Sequence, residues 1–168
     1  SVFFINDNVG YVGGEKDPAG GSNSRIFKTT DAGATWSQPD DTIGHAAVMS
    51  LFFTDIATGY FGGICWSIFG GSPGYCAGQD IGKTTDEGNN WTIFYKAHDI
   101  FSVYFTSSQI GYFVGGHYDS GQNGEGGVIM KTTDAGNSWN EQILDSTTVL
   151  RSVYFTGSST GYIAGDGG

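Results

Sequence analysis

Apolar residues in this chain come in short runs separated by clusters of Gly, Asn, Asp and Ser, and no stretch sustains a helical period. Val103 to Thr106 is an aromatic-rich run suited to a strand buried on both faces. After a turn ending in Gly111 comes Tyr112 to Val114, closed by Gly115 and Gly116. Val128 to Thr132 is a third run, and a fourth begins at Ser138 and Trp139 and continues to Ile143. These are predicted strands A, B, C and D, joined by turns of the expected chemistry.

The same order recurs along the chain. One phrase reads KTTDAGATW from Lys28, KTTDEGNNW from Lys83 and KTTDAGNSW from Lys131. A second reads SVFFINDNVGYVGG from Ser1, SLFFTDIATGYFGG from Ser50, SVYFTSSQIGYFVGG from Ser102 and SVYFTGSSTGYIAG from Ser152. The two phrases alternate, and the second is spaced by 49, 52 and 50 residues. Periods of this length mark propellers, solenoids and arrays. Four strands per period predict an all-β propeller of four-stranded antiparallel blades around a central channel. The predicted units are residues 1–49, 50–101, 102–151 and a partial fourth over 152–168.

Between strands C and D lies S/T-x-D-x-G-x-x-W, present as Thr29, Asp31, Gly33 and Trp36, as Thr84, Asp86, Gly88 and Trp91, and as Thr132, Asp134, Gly136 and Trp139. The expected turn has the Asp carboxylate accepting from backbone N–H groups one to three residues on, Gly supplying a positive φ and Trp packing beneath. Three copies spread around a ring cannot converge on one substrate, so these aspartates read as structural staples rather than catalytic acids or metal ligands. The motif resembles the Asp-box, or BNR repeat. Together with SVYFTSSQIGYFVGG it is most similar to the photosystem II stability and assembly factor-like family, whose wider membership includes secreted bacterial proteins. The resemblance implies a propeller and leaves the task open among sialidases, xyloglucan hydrolases, receptors and binding proteins.

Three units are complete, and the fourth holds only strands A and B, whereas closed propellers have four to eight blades. The expectation is a segment of a larger propeller, its remaining blades supplied by the same longer chain or by another subunit.

Composition narrows the partners. Gly is 29 of 168 residues, aromatics are 15%, charged residues 14%, and the net charge is −10. The aromatics can build an ordered core, and seven Lys and Arg form no basic patch for nucleic acid. No apolar run reaches the length of a membrane span, so membrane insertion is not expected. Cys65 and Cys76 bracket the B–C connection of the second unit. A disulfide pinning that hairpin is the preferred reading, and it fits an extracellular, cell-surface or periplasmic setting; two thiols in a cytosolic protein are the alternative.

In an antiparallel blade the B–C and D–A connections emerge on one face and the A–B and C–D turns on the other. Length variation is confined to the first face: EKDPAGGSNS from Glu15, the cysteine loop, and HYDSGQNGEGG from His117. Variable loops on a rigid scaffold are where binding residues concentrate. The candidates are Trp66, Phe69, Tyr75, Tyr118, Asp17, Asp119 and Glu125. Aromatic residues there serve as platforms for sugar rings or anchors for protein, or else fold back to plug their own hairpins; both readings stand open. No cofactor is expected, and the one metal alternative is calcium on Asp119, Asn123 and Glu125, a run that departs from the EF-hand pattern.

An enzyme reading needs chemistry the chain does not single out. Arg25 and Arg151 are the only arginines, short of the cluster of three that sialidases use, and Asp99 with Asp119 is the only carboxylate pair to suggest itself for a glycosidase cleft. The expected function is therefore a non-catalytic propeller presenting its B–C and D–A loops to a protein or glycan. The alternatives are a xyloglucanase- or sialidase-like glycoside hydrolase with catalytic residues partly outside this segment, and a structural repeat of a surface assembly or filament.

Overall fold

The structure, a computed structural model of the 168-residue chain, describes residues 1–14, 25–39, 43, 47–64, 79–96, 98–118, 125–144 and 148–166. Among them every regular element is a strand, in four antiparallel sheets that follow the sequence repeat. Sheet 1 holds β1 (Val2–Phe4), β2 (Gly10–Gly14) and β3 (Arg25–Thr29). Sheet 2 holds β4 (Ala47–Phe53), β5 (Gly59–Ile64), β6 (Gln79–Thr84) and β7 (Thr92–Lys96). Sheet 3 holds β8 (His98–Phe105), β9 (Gly111–Tyr118), β10 (Glu125–Thr132) and β11 (Asn140–Ile143), and sheet 4 holds β12 (Leu150–Phe155) and β13 (Gly161–Gly165).

Each sheet is a meander of neighbouring strands, as the short A–B and C–D turns require. Strand D differs from the sequence reading. In sheet 3 it starts at Asn140, because Ser138 closes the preceding turn and Trp139 turns inward from it. In sheet 1 the described residues of strand D form one bridge, between Lys28 and Ser37.

The core lies between sheets rather than within one. Tyr11, Ile26 and Ile43 pack with Val48, Leu51, Phe53 and Phe61 of sheet 2. Tyr60 and Ile81 then pack with Ile100, Val103, Phe105, Phe113, Val128 and Met130 of sheet 3. Val114 packs with Leu150 and Val153 of sheet 4. Each fully buried ring, such as Phe61 or Phe113, contributes on the order of 1.5–3 kcal/mol by leaving water. Close approach depends on glycine where it matters: a Cβ on Gly62 would lie 2.3 Å from Ile100 Cγ2.

A feature absent from the sequence reading repeats in the A strands of sheets 2, 3 and 4. Their registers skip one residue, Met49 between Val48 and Ser50, Phe101 between Ile100 and Ser102, and Arg151 between Leu150 and Ser152. These are β-bulges, which bend a strand and re-aim side chains. The glycine opposite is obligatory: a Cβ on Gly115 would sit 1.8 Å from the Asp99 carbonyl oxygen.

Candidate functional site

The three C–D turns are built alike. In sheet 3 the Thr132 hydroxyl donates to Asp134 Oδ1 at 2.8 Å and accepts from the Gly136 N–H at 2.8 Å. Asp134 then accepts from the Ser138 N–H at 2.9 Å and the Ser138 hydroxyl at 2.6 Å. Asp31 accepts from Thr35 in the same way, and Asp86 from Asn90 through backbone and amide. The acceptor reach is thus four residues, longer than the one to three expected, because two consecutive left-handed residues lengthen the turn. Those are Ala32 and Gly33, Glu87 and Gly88, and Ala135 and Gly136.

Hydrogen bonds from the residue four on, led by its side chain, hold Asp31 and Asp134 down at about 2 and lower Asp86 as well. Carboxylates this occupied are poor proton donors near neutral pH. Each serves its own sheet, so no two of the three share one site.

The turns also receive contacts from the preceding sheet. The Tyr11 hydroxyl donates to the Glu87 carbonyl at 2.8 Å, and Tyr60 donates to the Ala135 carbonyl at 2.8 Å. Lys83 Nζ reaches the same Ala135 oxygen at 2.7 Å, while Lys28 Nζ pairs with Glu87 at 2.9 Å. Both lysines lie opposite their tyrosine in the ladder, at Tyr11↔Lys28 and Tyr60↔Lys83. Along the A strands a serine performs the parallel task. Ser1, Ser50 and Ser102 hydroxyls accept from the N–H groups of Leu51, Val103 and Val153 in the next sheet. The signal for these contacts was present as the serine that opens each copy of the second phrase and as the repeated G-Y dipeptide, but their partners lie 50 to 76 residues away.

The opposite face carries what is not repeated. Cys65, Trp66, Phe69, Tyr75, Cys76, Asp17 and Asp119 fall outside the described residues, as does Asn123 of the calcium alternative. Tyr118 ends β9 and Glu125 begins β10, and the register pairs them across the mouth of the B–C hairpin. Asp99 lies in the same sheet, and its suggested partner Asp119 falls outside the described residues. Among the described residues no three His, Cys, Asp or Glu side chains are grouped to hold a metal.

The bulges add Phe101, which sequence reasoning missed, and give a partner to Arg151, which it weighed only as one of two arginines. The Arg151 guanidinium lies 4.2 Å from the centre of the Phe101 ring, joining the bulges of sheets 3 and 4. Asp166, just past the end of β13, accepts from Arg151 Nε at 3.0 Å and Nη2 at 2.6 Å, which lowers the Asp166 carboxyl. This cluster stands toward the B–C side of sheet 4, at the start of one strand and just past the end of the other. Repetition fixed the serine after each bulge and left the bulge residue itself free to differ, as Met49, Phe101 and Arg151.

No known family model matches the chain, and no curated protein matches it. Solved structures do. YCF48 bound to D1 peptide aligns with 100% of this chain at 17% identity and a TM-score of 0.63. The GH74 enzyme of Niastella koreensis aligns with 95% of the chain at 19% identity and a TM-score of 0.69. The chain spans 50% of the first structure and 24% of the second. At these identities the likeness is one of fold, and the fold is the antiparallel-bladed β-propeller, of which the four sheets are successive blades.

Proposed function

We propose that this chain is a non-catalytic binding segment of an extracellular or cell-surface Asp-box propeller, of the photosystem II assembly factor-like type, and that its loop-bearing face takes a protein segment. The observation that carries the reading is the contrast between the two faces. On the turn side each repeated group is engaged in holding a blade or joining two. On the other side, unlike residues occupy equivalent bulges, and an aromatic ring and an arginine are stacked there. Arg and aromatic residues dominate the energetics of protein recognition. The structural likeness to YCF48 bound to D1 peptide supports a polypeptide ligand. The acidic composition and the two cysteines of the second B–C loop support an oxidising, non-cytosolic setting.

The test is a fluorescence-anisotropy screen of the chain against a panel of labelled peptides, with xyloglucan oligosaccharides as the competing ligand class. A peptide subset should bind, and Phe101→Ala or Arg151→Ala should weaken it by about tenfold or more, whereas Asp134→Ala should not. Binding restricted to the sugars, or peptide binding indifferent to both bulge substitutions, would overturn the reading. The alternative of a GH74-like hydrolase rests on the second structural neighbour and predicts reducing ends released from xyloglucan.

A further inference from the structure

The A strands are the axial strands of the propeller. β1 lies against β4, β4 against β8 and β8 against β12, whereas β7 and β11 close the outer edges of their sheets. Where the axial strands meet, Ser50 accepts from the Val103 N–H at 3.1 Å and Ser102 from the Val153 N–H at 3.2 Å. Two residues further on, the rings of Phe52, Tyr104 and Tyr154 step from strand to strand by 5.3 and 5.5 Å. Immediately before each serine stands a bulge residue, Met49, Phe101 or Arg151. Neighbouring strands are therefore clamped at the level of the bulges, and the three bulge residues form one row across the second, third and fourth sheets. The 4.2 Å stack of Arg151 on Phe101 is one step of that row.

Met49 is the other step. It holds in sheet 2 the place that Phe101 holds in sheet 3, and both side chains are half-buried. Sheets 2 and 3 each have a neighbouring sheet on both sides, so neither residue is bared by the edge of the stack. In sheet 2 the strand across the bulge has no side chain to cover it, since the register passes from Gly63 to Gly62. In sheet 3 the glycine opposite is Gly115. The methionine thioether is flexible, polarisable and favourable against aromatic rings, while the Phe101 ring of the next strand is large and rigid. Together they offer one adaptable wall and one fixed wall.

We infer that Met49 is a further specificity-determining residue of the peptide site proposed above, and that Met49 and Phe101 together seat an aromatic side chain of the bound segment. The inference rests on that reading of the face. An aromatic ring can stack or pack edge-on against Phe101 while lying against the Met49 sulfur, whereas a carboxylate in the same place would give up its water for no hydrogen bond. Arg151 already occupies the sheet 4 side of the Phe101 ring, so the ligand enters from the sheet 2 side.

The chain contains two methionines, which makes the test direct. With isotope-labelled methionine methyl groups the protein gives two NMR signals, and Met130, fully buried in the core between sheets 2 and 3, is the internal reference. Met49→Leu assigns the spectrum by removing one signal. The probes are a Gly-Ser dodecapeptide with two adjacent phenylalanines at its centre and its counterpart with two glutamates. The phenylalanine peptide should move the Met49 methyl upfield, as a ring stacked on it requires, and leave Met130 in place. The glutamate peptide should move neither. Met49→Ala and Phe101→Ala should each weaken the phenylalanine peptide by about tenfold. Met49→Leu, of similar volume, should weaken it by no more than about twofold. A phenylalanine peptide that shifts neither methyl, or equal responses to both peptides, would overturn the inference. So would peptides of the anisotropy panel that bind and are weakened by Phe101→Ala yet leave the Met49 methyl unmoved, a result that keeps the proposed site and removes Met49 from it. Failure of every peptide in that panel to bind would instead overturn the proposed function, and this inference with it.

Discussion

The Tyr60 hydroxyl donates to the Ala135 carbonyl oxygen at 2.8 Å, joining residues 75 apart in the chain and in adjacent blades. Among the described residues, Ala135 is one of three non-glycine residues with a left-handed backbone, at a φ of 56°. Its carbonyl is accordingly free of any ladder and serves the neighbouring blade. The same relation joins Tyr11 to Glu87, whose φ is 63°. A strained turn residue is therefore the acceptor by which one blade is held to the next.

Tyr60→Phe should destabilise the chain by about 0.5–1.5 kcal/mol, because the Ala135 oxygen keeps its bond from Lys83 and is not orphaned. Adding Lys83→Met removes that second donor, so the double variant should lose more than the sum of the singles in urea titrations. Burial pushes the Tyr60 phenol up to about 12 from its ordinary 10.0. A proton held more tightly when folded gives stability that is full below pH 10 and falls as the pH rises toward 12. Tyr60→Phe should flatten that alkaline decline, and an unchanged decline would remove Tyr60 from its cause.

Ala135→Gly should stabilise the chain by about 0.5–1 kcal/mol. The left-handed conformation costs an L-residue about 1–2 kcal/mol, and the entropy glycine loses on folding offsets only part of that relief. Glu87→Gly has the same backbone gain but loses the Lys28 ion pair, so it should gain less. Urea midpoints of the two variants check the order. A lower midpoint for Ala135→Gly would mean that the side chain, not the backbone, sets the energetics of this turn.

The blades were legible in sequence because each strand and turn announces itself locally. Thr132, Asp134, Gly136 and Trp139 recur at fixed spacing, and their bonds close within a few residues. Ser50 and Tyr60 recur as faithfully, but the groups they bind belong to the next repeat, and periodicity says nothing of contacts between periods. The bulges were hidden for another reason. Phe101 is an extra residue in one strand opposite an unbroken partner, and only the pairing register shows it. Of the candidate binding residues, Tyr118 and Glu125 are described through their backbone pairing alone. The Arg151–Phe101 stack escaped notice because its members lie 50 residues apart in positions that look like ordinary strand.

Gly115→Ala should be among the most damaging single-methyl additions available, costing about 1–3 kcal/mol or more. The added carbon would meet the Asp99 carbonyl oxygen at 1.8 Å, and a backbone atom in a bulged ladder has no rotamer in which to escape. Gly14→Ala is the control, since a Cβ there has no described atom within 4 Å. Equal midpoints for the two in chemical denaturation would show that the bulge opposite Gly115 relaxes freely. A large gap would confirm that the repeated glycine ending strand B exists to admit the bulge.

Asp134→Asn should lower the melting temperature and remove part of the acid sensitivity of the fold. The Ser138 hydroxyl and N–H and the Thr132 hydroxyl all donate to the carboxylate, which holds it at about 2 rather than 3.8. A carboxyl with a depressed folded value binds its proton more weakly than in the unfolded chain. Its stabilisation is therefore complete above pH 3.8 and is lost as the pH falls through about 2. Asp31 behaves alike, so the parent should show an acid decline in this window that weakens with each of the two replaced. Melting curves at pH 7 and across pH 2–4 read both effects. If Asp134→Asn melts as the parent does at neutral pH, the carboxylate is not what holds the turn, and its repetition in three blades calls for a role in binding instead.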